Sequence, residues 1–175
     1  MQDDEIENFF LKRVHHLENE NETGRLSNHQ ALAGLAAYNV FSITGDDNAR
    51  RTAEDRVALT LSWQDKNEGW YQEYEGADPG YHTCTIDFLA KYLRKKKDRG
   101  EEADHTVLQS LIEAVDFSWY FMHPDGSYGG EYGTRNTHQF YPHGFELMAP
   151  HTEKAGQIAD AFLQSAERDK RDHND

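Results

Sequence analysis

The chain has 175 residues, 37% of them hydrophobic and 12% aromatic, enough for one ordinary domain with a real core. Its 32 acidic residues outweigh 18 basic ones, and a formal net charge of -14 repels phosphate backbones, which argues against nucleic acid and anionic membrane as partners. No apolar run approaches the roughly 18 residues of a membrane span, and the opening MQDDEIENFFLKR is acidic where a secretory signal is basic, so a cytoplasmic protein is expected.

Helical periodicity marks six segments, and no segment alternates convincingly as a strand. The first covers about 5–20, with Ile6, Phe10, Val14 and Leu17 on one face. The second covers about 28–43, with Leu32, Leu35, Ala36, Asn39 and Val40, and Ser27 with Gln30 has the spacing of a capping box at its start. A third, about 48–63, presents Ala49, Ala53, Val57 and Leu61. A fourth, about 83–97, presents Ile86, Leu89 and Leu93, with the single cysteine, Cys84, expected as a buried, inert thiol. The fifth, about 101–122, carries Leu108, Leu111, Ile112, Val115, Trp119 and Met122. The sixth, about 153–168, carries Ala155, Ile158, Ala159, Phe162 and Ala166. The expected class is all-α, a single domain over 1–170 with a frayed tail at 171–175.

Connection lengths predict how these helices are arranged. Helices two and three are joined by TGDD, and four and five by little more than Arg99 and Gly100, so each pair should form an antiparallel hairpin. Long segments, 64–82 and 123–152, follow helices three and five. In an alternating array both fall at one end, which is where a scaffold carries its working loops.

The second long segment contains GSYGGEYGTRNTHQFYPHG, residues 126–144. Gly126, Gly129, Gly130 and Gly133 break a helical register and Pro142 removes a backbone donor, so the run reads as a loop. Its start, GSYGGEYG, parallels GWYQEYEG at 69–76, which suggests a helical hairpin repeated about three times.

Residues 63–149, with EGWYQEYEGADPGYHTCTIDFLAKYL followed by YGGEYGTRNTHQFYPHGFELMA, resemble the α/α-toroid carbohydrate-active proteins of the heparinase II/III-like and alginate-lyase-like kind. The resemblance is one of style and spacing. It implies a toroid-like array with site loops gathered at one end, and a poly- or oligosaccharide partner. About three hairpins make only a partial toroid, so a homo-oligomer or a subunit of a larger assembly is expected.

The same resemblance implies polysaccharide lyase-type β-elimination on an acidic glycan. That chemistry neutralises a uronate carboxylate, removes the neighbouring proton and protonates the leaving oxygen. Arg135 and Asn136 are candidates for the carboxylate, His138 or His143 for the base, and Tyr132 or Tyr141 for the acid or combined acid and base. Glu131, His82, Tyr74 and Trp70 complete the candidate substrate-binding set. An Arg fork suits two-point carboxylate binding. Each residue also has a structural alternative: Arg135 can pair with Glu131 or Glu146, Asn136 can cap a turn, and the tyrosines can pack the loops onto helix ends.

Two further readings stand beside the lyase. A non-catalytic glycan- or partner-binding subunit would use the aromatic loops as a grip. A glycoside hydrolase would use a pair of carboxylates among Glu73, Asp78, Asp125 and Glu131. His82, His138 and His143 with Glu131 or Asp78 could in principle converge on a metal. No strong metal-ligand spacing such as HExxH occurs, so neither metal nor cofactor is expected.

Overall fold

The computed structural model describes residues 2–19, 24–129, 132–133 and 140–168. Among them the chain forms seven helices: α1 (Gln2–Asn19), α2 (Ser27–Thr44), α3 (Asp47–Ser62), α4 (Pro79–Asp98), α5 (His105–Trp119), α6 (Pro142–Met148) and α7 (Glu153–Glu167). The all-α class holds. The only strands among the described residues, β1 (Gln72–Glu73) and β2 (Gly76–Ala77), pair over two residues each around Tyr74, whose φ of 55° makes the tight reversal.

Side-chain caps decide where several helices begin. The Asp46 carboxylate accepts from the Ala49 N–H at 2.8 Å and starts α3. Asp78 accepts from the Tyr81 N–H at 3.0 Å, and Pro79 fills the first turn, where a missing donor costs nothing. Helix α4 therefore opens before the position that its apolar stripe predicts. Asp104 accepts from the Val107 N–H at 3.2 Å, so α5 opens later than expected.

Expectations for one cap and one proline fail locally. Ser27 and Gln30 form no capping box, because Ser27 donates to the Gln72 carbonyl at 2.6 Å and Gln30 accepts from Arg56 at 2.6 Å. Pro142, read from sequence as a loop residue, instead occupies the first turn of α6, where its fixed φ suits a helix start.

Helix α4 is central: it packs on α2, α5 and α6, while α3 covers α2, α7 covers α6, and α1 rests on α2 and α3. The α2–α3 approach is close at Gly34, where an added Cβ would lie 2.9 Å from Val57 Cγ2. Tyr38 and Tyr92 meet edge-to-face at 5.0 Å between centroids, in a core that includes Ile86, Leu89, Leu111, Phe145, Met148 and Ile158. Buried Arg56 ties α1 to this body, donating to Gln30 Oε1 and to the Leu17 carbonyl. Leu32, expected on the core face of α2, is 48% exposed, because α2 turns Ala31, Leu35, Tyr38 and Phe41 inward and leaves Leu32 on its outer side. No helix among the described residues is long and apolar enough to cross a membrane.

Candidate functional site

The two long connections meet at the N-terminal end of α4. The first, after α3, is held from below by a buried polar set. Gln64 donates through Nε2 to the carbonyls of Gly69 and Ser110, each at 2.9 Å, and accepts from Ser110 Oγ at 2.7 Å. Tyr71 Oη lies 2.6 Å from the same Ser110 hydroxyl. Gly69 permits this closeness: its φ is +80°, and an added Cβ would stand 2.5 Å from the Glu113 carbonyl oxygen.

His82 belongs to this support. Its Nδ1 accepts from the Tyr71 N–H at 3.3 Å, and its Nε2 lies 2.9 Å from the Ala114 carbonyl oxygen. A backbone N–H can only donate and a carbonyl can only accept, so the ring is neutral with its proton on Nε2. Burial pushes its pKa down to about 4. Tyr71 and Phe117 flank it, at centroid separations of 5.4 and 5.1 Å. His82, a candidate substrate-binding residue by sequence, instead lies wholly buried in the first turn of α4 and braces that helix against α5 and the first loop.

Glu73 closes the other side of that loop. It accepts from the Asn28 N–H at 2.7 Å and from Asn28 Nδ2 at 2.8 Å. Burial, reinforced by the charge of Asp78, raises its pKa to about 7 in spite of those bonds. The sequence reading missed Asn28. A candidate signal was its position in the first turn of a helix, where polar side chains find partners outside it.

The second connection reaches α4 by three contacts. Buried Tyr128 donates to the Pro79 carbonyl at 3.2 Å. Gly133 packs so tightly on the capping carboxylate that an added Cβ would collide with Asp78 Oδ1. The Tyr141 N–H donates to Thr83 Oγ1 at 3.1 Å, and its phenol stands beside the Cys84 thiol. The chain on each side of residues 134–139 is therefore fastened to the first two turns of α4. Phe140, between them and Tyr141, stacks on Phe145 and Phe162 at 5.3 and 5.1 Å.

Of the expected site residues, Glu131, Arg135, Asn136 and His138 lie outside the described residues. Tyr132 is 68% exposed, with its ring 6.2 Å from that of His123. Tyr141 is 37% exposed beside Phe88. Interaction with the neighbouring Cys84 sulfur, with burial behind it, raises the Tyr141 phenol to about 12, so it holds its proton. His143 is exposed on α6, and Tyr74 is exposed at the tip of the β1–β2 hairpin. Trp70 is half-buried and donates to Glu68 Oε2 at 2.9 Å. Cys84 is buried and its thiol is pushed up to about 12, chiefly by desolvation. Among the described residues, no three His, Cys, Asp or Glu side chains gather as a metal-binding set.

No protein-family model matches the chain, and no curated protein or solved structure matches it.

Proposed function

We propose that this is a carbohydrate-active protein that takes an acidic glycan on its long-loop face and cleaves it by lyase-type β-elimination. One observation carries the reading: both long connections converge on the N-terminal end of α4, and the chain flanking the segment that holds Arg135, Asn136 and His138 is anchored there. In this reading Arg135 and Asn136 neutralise the uronate carboxylate, His138 or His143 removes the proton, and a tyrosine protonates the leaving oxygen. Tyr141, whose phenol keeps its proton, suits the acid role better than the base role. The reading includes a partial toroid of helical hairpins, completed by self-association or within a larger assembly, and a cytoplasmic location.

A non-catalytic glycan- or partner-binding subunit is the second reading. What favours it is the commitment of His82, Glu73 and Asp78 to bonds within the scaffold, while Tyr74 and Tyr132 present rings to solvent. The same commitment takes Glu73 and Asp78 away from a hydrolase pair, leaving Asp125 and Glu131 as the candidates for glycoside hydrolysis.

The test is incubation with a panel of acidic and neutral oligosaccharides, following the unsaturated elimination product by ultraviolet absorbance, with Arg135→Ala alongside. Lyase chemistry requires product from an acidic glycan and a loss of about a hundredfold or more in Arg135→Ala. Binding that depends on Arg135 without product selects the second reading. Neither product nor Arg135-dependent binding ends both.

A further inference from the structure

The geometry points to a second site, at the opposite end of α4 from the point where the two long connections meet: a pocket that takes a single-chain organic carboxylate, apolar tail inward and carboxylate at the mouth beside Lys97. The cavity has a volume of about 390 Å³, and Ala90, Leu93, Leu108, Leu147 and Met148 make its walls. That size falls in the range of small-molecule sites, roughly 300–1,000 Å³.

The charge at the mouth selects the head group. Lys96 lies 3.3 Å from Asp104 and 4.0 Å from Glu101, and Glu101 is approached further by Arg50 and Arg99, each at 3.7 Å. Those two rim carboxylates are therefore compensated within the protein. Arg94 is taken by Asp98 at 2.8 Å. Lys97 also lines the pocket, and among the described residues it has no carboxylate partner. His151 adds a further potential donor on the α6 side, and Glu102 is the one acidic lining residue without a cation against it among the described residues. A ligand carboxylate finds both Lys97 and His151 at this rim, whereas a ligand ammonium finds only Glu102. In a chain of net charge -14, the run RKKKDR makes this end of α4 locally basic.

The experiment is isothermal titration calorimetry on the full chain with decanoate, decylammonium and decanol, each kept below its micelle threshold. Decanoate should bind saturably with one equivalent per chain, at least about tenfold more tightly than decylammonium. Lys97→Glu should weaken decanoate about tenfold, and Glu102→Gln should tighten it. Leu108→Trp, which fills the cavity, should abolish binding. If circular dichroism shows that variant unfolded, Ala103→Trp blocks the pocket from its exposed rim. The proposal is overturned if decanoate does not bind saturably, or if decylammonium binds as well. Indifference to Lys97→Glu overturns it too, as does uptake of several equivalents that ignores the tryptophan variants.

Discussion

Glu73 accepts two hydrogen bonds from one residue, Asn28, through the backbone N–H at 2.7 Å and the side-chain amide at 2.8 Å, across 45 positions of sequence. This pair fastens the first long loop to the first turn of α2. Asn28→Ala removes one donor and leaves a buried carboxylate oxygen unsatisfied, so a loss of about 1–3 kcal/mol is expected in denaturant unfolding. Asn28→Asp should cost more, since it sets a second carboxylate against Glu73. An Asn28→Ala midpoint equal to wild type would show that the pair fastens nothing.

The pH dependence of stability follows from Glu73 and His82 together. Folding raises Glu73 from 4.5 to about 7 and lowers His82 from 6.5 to about 4. Between pH 4.5 and 7 the folded Glu73 holds a proton that the unfolded chain has lost, so its contribution falls as pH rises. Between pH 4 and 6.5 the unfolded His82 holds a proton that the folded ring lacks, so its contribution falls as pH drops. The two slopes oppose each other where they overlap, from about pH 4.5 to 6.5. Glu73→Gln removes one of them, so its stability relative to wild type should climb by about 1.4 kcal/mol per pH unit across that window. Urea titrations of both chains at several pH values measure the difference, and a constant difference would contradict the assignment.

Glycine substitutions should separate crowded positions from open ones. At Gly69 an added Cβ meets the Glu113 carbonyl at 2.5 Å and the backbone is left-handed, so Gly69→Ala combines a clash with strain. Gly45 has a similar φ, +73°, with nothing within 4 Å. Gly45→Ala should cost about 1 kcal/mol, and Gly69→Ala at least about 2 kcal/mol. Thermal unfolding of the two variants gives the order directly, and equal losses would mean that the contact with α5 yields freely.

Arg56 should govern the attachment of α1. Its guanidinium reaches the Leu17 carbonyl near the end of α1 and Gln30 on α2. Arg56→Met keeps much of the apolar stem and loses both bonds. Amide hydrogen exchange in the last turns of α1 should accelerate more than tenfold, while α4 and α5 keep their protection. Uniform acceleration throughout the molecule would instead place Arg56 within the global folding unit.

The helices were legible because each buries a stripe against neighbours, and a stripe leaves a 3.6-residue pattern in the chain. Cys84 was legible as a buried thiol, since it sits among Ile86 and Phe88 on such a stripe. Helix α6 was not. It spans only Pro142–Met148, too short for a period to emerge, and its leading proline was read as a breaker rather than as a first-turn residue. The starts of α4 and α5 were displaced for a related reason: Asp78 and Asp104 cap them outside the apolar pattern.

The sequence by itself determined the helical class, most of the helix spans and the pairing of two long, aromatic-rich connections, because these depend on patterns within a few turns of chain. Only the tertiary structure decided which polar residues face inward. His82 between Tyr71 and Ala114, Glu73 on Asn28 and Tyr141 on Cys84 each join segments far apart in sequence. A histidine or glutamate in a glycine-rich loop reads the same whether it meets solvent or a buried partner. What separates the two outcomes is the donor or acceptor that packing brings opposite it, and no local pattern records that.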